Sequence, residues 1–274
     1  MPSKRLSKSL TTIVAAVICI VYLLPMVWLI LTSLKVNVDV LTWPPKWIFQ
    51  PTFQNYSDIF TVYDFGSSLI NSIVLAFSGS LAGIVLGGMA AYGLTRYHFP
   101  FKSSISKSYL ILRMLPAIAL AVPIYLLVAE IRMLDTYASL IPIYIGVALP
   151  FSVWMLQGFF ADVPKEIEEA AMIDGCGRMR TFVTIVVPLC APGIAATAIF
   201  TTILIWNEFL FALVLTSNET RTLPIGVASF ITDKGIMWNQ LSAASVIIFT
   251  PILILTLALQ KYLIRGMTMG AVKG

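Results

Sequence analysis

Residues able to do chemistry are scarce in this chain, and they crowd into one place. Glu166, Glu168, Glu169 and Asp174 are four of its thirteen acids, and they fall within nine positions of the stretch EIEEAAMIDGCG. An enzyme would need a nucleophile with a base, or a metal cluster. The chain offers the single His98, set in a basic loop, and no HExxH pattern. Cys19, Cys176 and Cys190 show no disulfide or metal-site spacing and are expected to be free thiols used as small apolar residues. No GxxxxGK[ST] loop occurs, so the usual cradle for ATP is missing. The acids are therefore read as a contact surface.

That surface needs a helix to carry it. Pro164 fits a first helical turn, Glu166, Glu168 and Glu169 then lie near the positive end of the helix dipole, and Gly175 suits a left-handed C-terminal residue. On such a helix Ile167, Ala170, Ala171 and Asp174 share one face by the three-and-four rule, a shallow small-residue surface beside acids. About ten residues cannot hold a helix alone in water, so a neighbouring loop or a second protein must hold this one.

The rest of the chain explains why a charged helix stands out. Of 274 residues 58% are hydrophobic and only 11% charged, with a mean hydropathy of +0.90. Soluble domains run at roughly 45–50% apolar and about 25% charged. The fold class is all-α, a polytopic membrane protein, because gaps between charges repeatedly exceed the roughly 20 apolar residues needed to cross a bilayer. Six spans are expected, over 10–34, 67–94, 109–129, 137–160, 188–216 and 241–263. The first has a basic lead like a signal peptide but is too long and lacks a small-x-small cleavage site. With the N-terminus inside, thirteen Lys and Arg fall on that side and five on the other. Both termini are therefore expected in the cytoplasm. The net charge of +5 reports this topology and not nucleic-acid binding.

Gly79, Gly83, Gly87 and Ala91 place a small residue at every fourth position of the second span, a stripe that admits a neighbouring backbone. Prolines in or beside most other spans predict kinks, tolerable in lipid only where protein or water satisfies the freed carbonyls. Arg113, at the start of the third span, is expected to snorkel to the cytoplasmic headgroups. Glu208 is the clearest intramembrane acid, and an acid at that depth costs several kcal/mol unless paired or hydrated. Two readings stay open for it: bracing neighbouring helices, or touching cargo together with Trp206, Asn207, Phe209 and Phe211.

Glu169-Ala170-Ala171, then Asp174-Gly175, with Phe182, Pro188-Leu189 and Pro192 following, resembles the EAA loop of permease subunits in binding-protein-dependent ABC importers. Cys176 stands where that family usually has alanine. WNEFLFAL at 206–213, AAYGLTRYHFPFK at 90–102 and the terminal KYLIRGMTMGAVKG at 261–274 are similar to the second permease subunit of carbohydrate importers. The resemblance implies a type I importer permease fold, with an N-terminal helix and first outer loop over 1–66 and a five-helix core over 67–274. It implies a coupling loop at 162–192, in which Glu166, Glu169, Ala170, Ala171, Asp174 and Gly175 dock on an ATPase. Gly270, Ala271, Val272, Lys273 and Gly274 would form a tail contact to the same ATPase. The implied partners are a second homologous permease, an ATPase dimer that holds ATP and Mg, and an extracytoplasmic carbohydrate-binding protein. That protein would meet the outer loop 217–240, through Asn218, Thr222, Asp233, Trp238 and Asn239. This chain would bind no cofactor or metal and would sit in a bacterial inner membrane. An ion-coupled secondary transporter is the rival, but it should show internal repeats and more intramembrane ionisable residues than Glu208.

Overall fold

The computed structural model describes residues 2–269, with side chains from 11 to 261. Helices dominate. In chain order they are α1 (Pro2–Ser33), α2 (Asn37–Val40), α3 (Gln54–Thr61), α4 (Phe65–Arg96), α5 (Lys102–Met114), α6 (Ala117–Glu130), α7 (Tyr137–Ala161), α8 (Lys165–Ile173) and α9 (Arg178–Thr181). A π-helical turn at Phe182–Val186 runs into α10 (Val187–Leu189), followed by α11 (Ala191–Trp206), α12 (Leu210–Leu215) and α13 (Leu223–Ala228). A two-residue hairpin, β1 (Ile231–Thr232) with β2 (Gly235–Ile236), precedes α14 (Trp238–Met269).

Among the described residues, four helices are long and apolar enough to cross a membrane: Thr11–Ser33, Phe65–Arg96, Tyr137–Ala161 and Trp238–Lys261. Two further segments are bent pairs, which brings the number of possible crossings to six. Here the structure corrects the expected spans. The third is no straight helix over 109–129: α5 and α6 meet at 92°. Leu115 is extended (ψ 127°) and Pro116 forms the N-cap of α6, as the steric clash between proline and its predecessor demands. The fifth is not continuous over 188–216. Arg178–Leu189 and Ala191–Trp206 meet at 80°, with Pro192 in the first turn of α11, and the helix stops again before α12.

The chain forms two compact units, 1–66 with 226–250 and 67–225 with 251–274. In the first, α1 leaves its apolar length open all round, with Tyr22 77% exposed. That is the signature of a helix meant for lipid or another subunit. Lys35, just past α1, is fully buried with its ammonium 4.7 Å from the Trp28 ring centre and 5.1 Å from that of Phe49. Burial lowers its pKa, against the raising influence of Asp39. Asn55 of α3 ties this unit together, donating to the Ser33 and Lys35 carbonyls and accepting from Asn239.

The second unit is built on the contact of α4 with α7. The stripe read from the sequence lies along it: a Cβ on Gly79 would stand 3.0 Å from Tyr144 Cβ, one on Gly83 2.5 Å from Ala148 Cβ, and one on Gly87 2.6 Å from Ser152 Cβ. Those partners recur every fourth residue along α7, so the two helices match row for row. Below the stripe a core forms from Ala91, Leu94, Val153, Leu156, Phe160 and Phe182.

Gly83→Leu should therefore separate α4 from α7. Overpacking of this kind costs about 1–3 kcal/mol. The expected result is a clear fall in the melting temperature of the purified protein in detergent, while Gly93→Ala, where nothing lies within 4 Å of the added Cβ, should leave it unchanged.

Candidate functional site

The acidic stretch folds as α8, with Pro164 as its N-cap rather than inside its first turn. Its far end closes as the spacing predicts. Gly175 is left-handed (φ 88°), its N–H meets the Met172 carbonyl at 3.1 Å, and the Cys176 N–H meets that of Ala171 at 3.0 Å. This double bond spends the last carbonyls of the helix.

The face inferred from spacing is split. Ile167, Ala170 and Asp174 are exposed, as are Glu166 and Glu169, but Ala171 turns inward and is 7% exposed. Beside it Glu168, grouped by sequence with the other acids, is buried. Its Oε1 accepts from Arg96 Nε at 2.5 Å and its Oε2 from the Tyr92 hydroxyl at 2.7 Å. Arg96 Nη2 also donates to the Val163 carbonyl at 2.8 Å, in the turn that leads into α8. Removing one partner of so enclosed a pair would leave an uncompensated charge, a loss of about 3–5 kcal/mol. The Tyr92 ring lies 4.5 Å from that of Phe182, at the π-helical turn, and meets Phe160 edge-on. So α8, too short to stand alone, is held by the C-terminal end of α4. Sequence reasoning counted Arg96 only as a topological charge. A pairing across 72 residues leaves no local signal.

The second group of expected site residues lies at the break between α11 and α12. Trp206 and Phe211 are buried, Asn207 and Phe209 exposed. Glu208 Oε1 accepts from the Phe211 N–H at 2.9 Å and its Oε2 from the Ala212 N–H at 3.2 Å, so the carboxylate caps α12. Both oxygens are occupied by the backbone of the segment that follows, a local cap and not a tie to a neighbouring helix. Tyr144 and Thr222 line the same closed space, and their buried hydroxyls make no well-formed hydrogen bond. Arg113 is exposed, and its side chain runs beside two aromatic rings. Its guanidinium lies 4.9 Å from the Phe151 ring centre and 5.6 Å from that of Trp154, at the edge of a cavity of about 430 Å³ behind the α5–α6 bend.

At the opposite end of α4 from α8, Asp135, which the sequence did not single out, organises the start of the loop after α12. Its carboxylate accepts from the backbone N–H groups of Ser217, Asn218, Glu219 and Thr220, each at 3.0 Å, and from the Thr220 hydroxyl. Burial alone would raise its pKa, but these donors outweigh it and hold the carboxyl well below the usual carboxylate range. Asn71 of α4 adds bonds to the Glu219 and Arg221 carbonyls and accepts from the Tyr137 hydroxyl. Of the outer-loop residues expected to meet a binding protein, Thr222 and Asn239 are buried, while Asn218, Asp233 and Trp238 are exposed. Gly270 to Gly274 lie outside the described residues.

Membrane-crossing helices around a short amphipathic helix held on an inter-span loop are the architecture of a multi-span permease. Residues 83–269 match the family model for the binding-protein-dependent transport system inner membrane component, and the chain belongs to that family. It is 38% identical over 272 residues to a probable ABC transporter permease protein of Sinorhizobium fredii, covering 99% of this chain and 98% of the relative. It is 36% identical over 275 residues to the trehalose/maltose transport system permease protein of Thermococcus litoralis, with the same coverage. Among solved structures it resembles a chain of a bacterial ABC transporter involved in the import of the acidic polysaccharide alginate. That match has a TM-score of 0.77 at 18% identity and covers 96% of this chain and 98% of the other. The expected fold class, a type I importer permease, is thereby borne out.

Asp135→Asn should loosen the outer loop, since hydrogen bonds to a charged group contribute roughly 1.5–3 kcal/mol. Because the folded pKa is depressed, the stabilisation is present above the unfolded carboxylate pKa and lost as pH falls through the folded value. Thermal melts should show the asparagine variant less stable at pH 7, with the gap closing only in strong acid.

Proposed function

We propose that this chain is one of two homologous permease subunits of an ATP-driven importer for a carbohydrate, an oligosaccharide, glycoside or polyol, delivered by an extracytoplasmic binding protein. Family membership supports the importer reading, and the relative named for trehalose and maltose supports the sugar. The observation that carries the mechanism is α8. It presents Glu166, Glu169, Ala170 and Asp174 outward beside Ile173, which is 86% exposed, while Glu168 anchors it from behind. A presented surface of acids and apolar groups fits a groove on a separate ATPase, the subunit that holds ATP and Mg and does the hydrolysis. Gly175 ends the helix sharply, and the tail at 270–274 would add a second contact. The protein would lie in the inner membrane with both termini in the cytoplasm, which places α8 beside that ATPase. Glu208 and the residues around it would brace the pathway.

Two measurements test this reading. In the assembled complex in proteoliposomes, Glu169→Lys should abolish ATP hydrolysis stimulated by loaded binding protein while leaving the complex in the membrane. Cys176→Ala should be silent, and stimulation unchanged in Glu169→Lys would reject docking through α8. For topology, a reporter active only in the cytoplasm should be active when fused after residue 274 and inactive when inserted at the exposed hairpin turn, Asp233-Lys234.

A further inference from the structure

Only Glu168 and Ala171 of α8 are buried, and alanine offers little to grip. The covalent links on either side of the helix are poor transmitters: a turn through Asp162, and a Gly-Cys-Gly segment whose first glycine is left-handed. A force arriving at α8 therefore has a stiff, charged route into the membrane region, the bonds that Glu168 makes to Tyr92 and Arg96. These two residues belong to the last turns of α4, and α4 lies so close to α7 at Gly83 and Gly87 that the two cannot slide past each other without parting. At the far end of the same pair, Asn71 of α4 and Asp135, just before α7, hold the 217–221 turn.

We propose that Glu168, Arg96 and Tyr92 form a strut that makes α8, α4 and α7 move as one body, so that displacement of α8 by the ATPase appears at the outer turn. The inference rests on the docking reading. It gives the acids separate roles, in which Glu166 and Glu169 face the partner, whereas Glu168 is a positioning residue that touches no partner. The strut suits transmission because the charges are enclosed, with side chains 9% and 7% exposed for Arg96 and Glu168, so salt screens them little. Three hydrogen bonds in different directions also resist sliding, which an apolar contact of the same size would allow. Phe182 packs on the ring of Tyr92, so the π-helical turn that leads to α11 is held at the same point.

The test uses the full complex in nanodiscs, with Cys19, Cys176 and Cys190 replaced by alanine and a reporter cysteine at the exposed Ser217. The probe is ATP with vanadate, so no cargo is needed, and the readout is the maleimide labelling rate at the reporter. The strut predicts an ATP-dependent change in that rate which Glu168→Gln and Arg96→Gln each reduce about tenfold. Combining the two should do no further harm, because both remove one connection. Tyr92→Phe, which keeps the ring on Phe182 and loses one bond, should fall between. In each variant that melts near the wild type, basal hydrolysis and co-purification of the ATPase should stay unchanged.

Where a lone charge unfolds the single variants, Arg96→Met with Glu168→Leu fills the space without one. This pair should melt near the wild type yet lose the response. A merely structural role predicts the reverse, with the response following the melting temperature, and a full response in the Met/Leu pair would overturn the strut. So would a wild-type complex whose reporter ignores ATP and vanadate. Failure of the ATPase to co-purify with the unaltered chain would instead overturn the docking reading itself.

Discussion

The closeness of α4 to α7 is the constraint on which the second unit depends. In lipid the apolar surfaces of two helices gain little by leaving their surroundings, so association rests on how near the backbones can come. Gly79, Gly83 and Gly87 bring them to the limit, and Tyr144, Ala148 and Ser152 receive them. The close fit makes a stiff pair from two helices that are otherwise broadly exposed. The bent segments, α5 with α6 and α10 with α11, carry the irregular backbone instead. Division of labour follows from composition: glycine where the chain must be rigid in bulk, proline where it must turn.

Charged groups with several hydrogen bonds secure the two ends of that pair. On one side Glu168, Arg96 and Tyr92 secure a helix of nine residues. On the other Asp135 collects four backbone donors and a hydroxyl, an anion held in a ring of N–H groups. Each cluster joins segments distant in sequence, and each is charged, directional and short. Glu208 does related work between α11 and α12, where its carboxylate supplies the helix start that a break would otherwise leave bare.

What the sequence made legible follows from periodicity and local stereochemistry. Charge-free runs located the spans, the four-residue spacing located the packing stripe, and Gly175 was readable as a left-handed stop because its neighbours define the helix it ends. The bends at Pro116 and Pro192 were announced as kinks, but their size was not. A proline says that a donor is missing, whereas the angle depends on what packs against the freed turn. Least legible were the ties between remote segments. Arg96 looked like one more inner-side charge, Asp135 like a loop residue, and Glu168 like its acidic neighbours. Partner choice across 70 or more positions is a property of the folded core, not of spacing.

The closing turn of α8 has a bearing on how any other molecule could meet it. Because the amides of Gly175 and Cys176 already occupy the carbonyls of Met172 and Ala171, those two acceptors are not offered to another molecule. More of any recognition then falls to the flank, where charge and shape are written in side chains that evolution can exchange one at a time. Two permeases of this design could share a scaffold and still present different surfaces there.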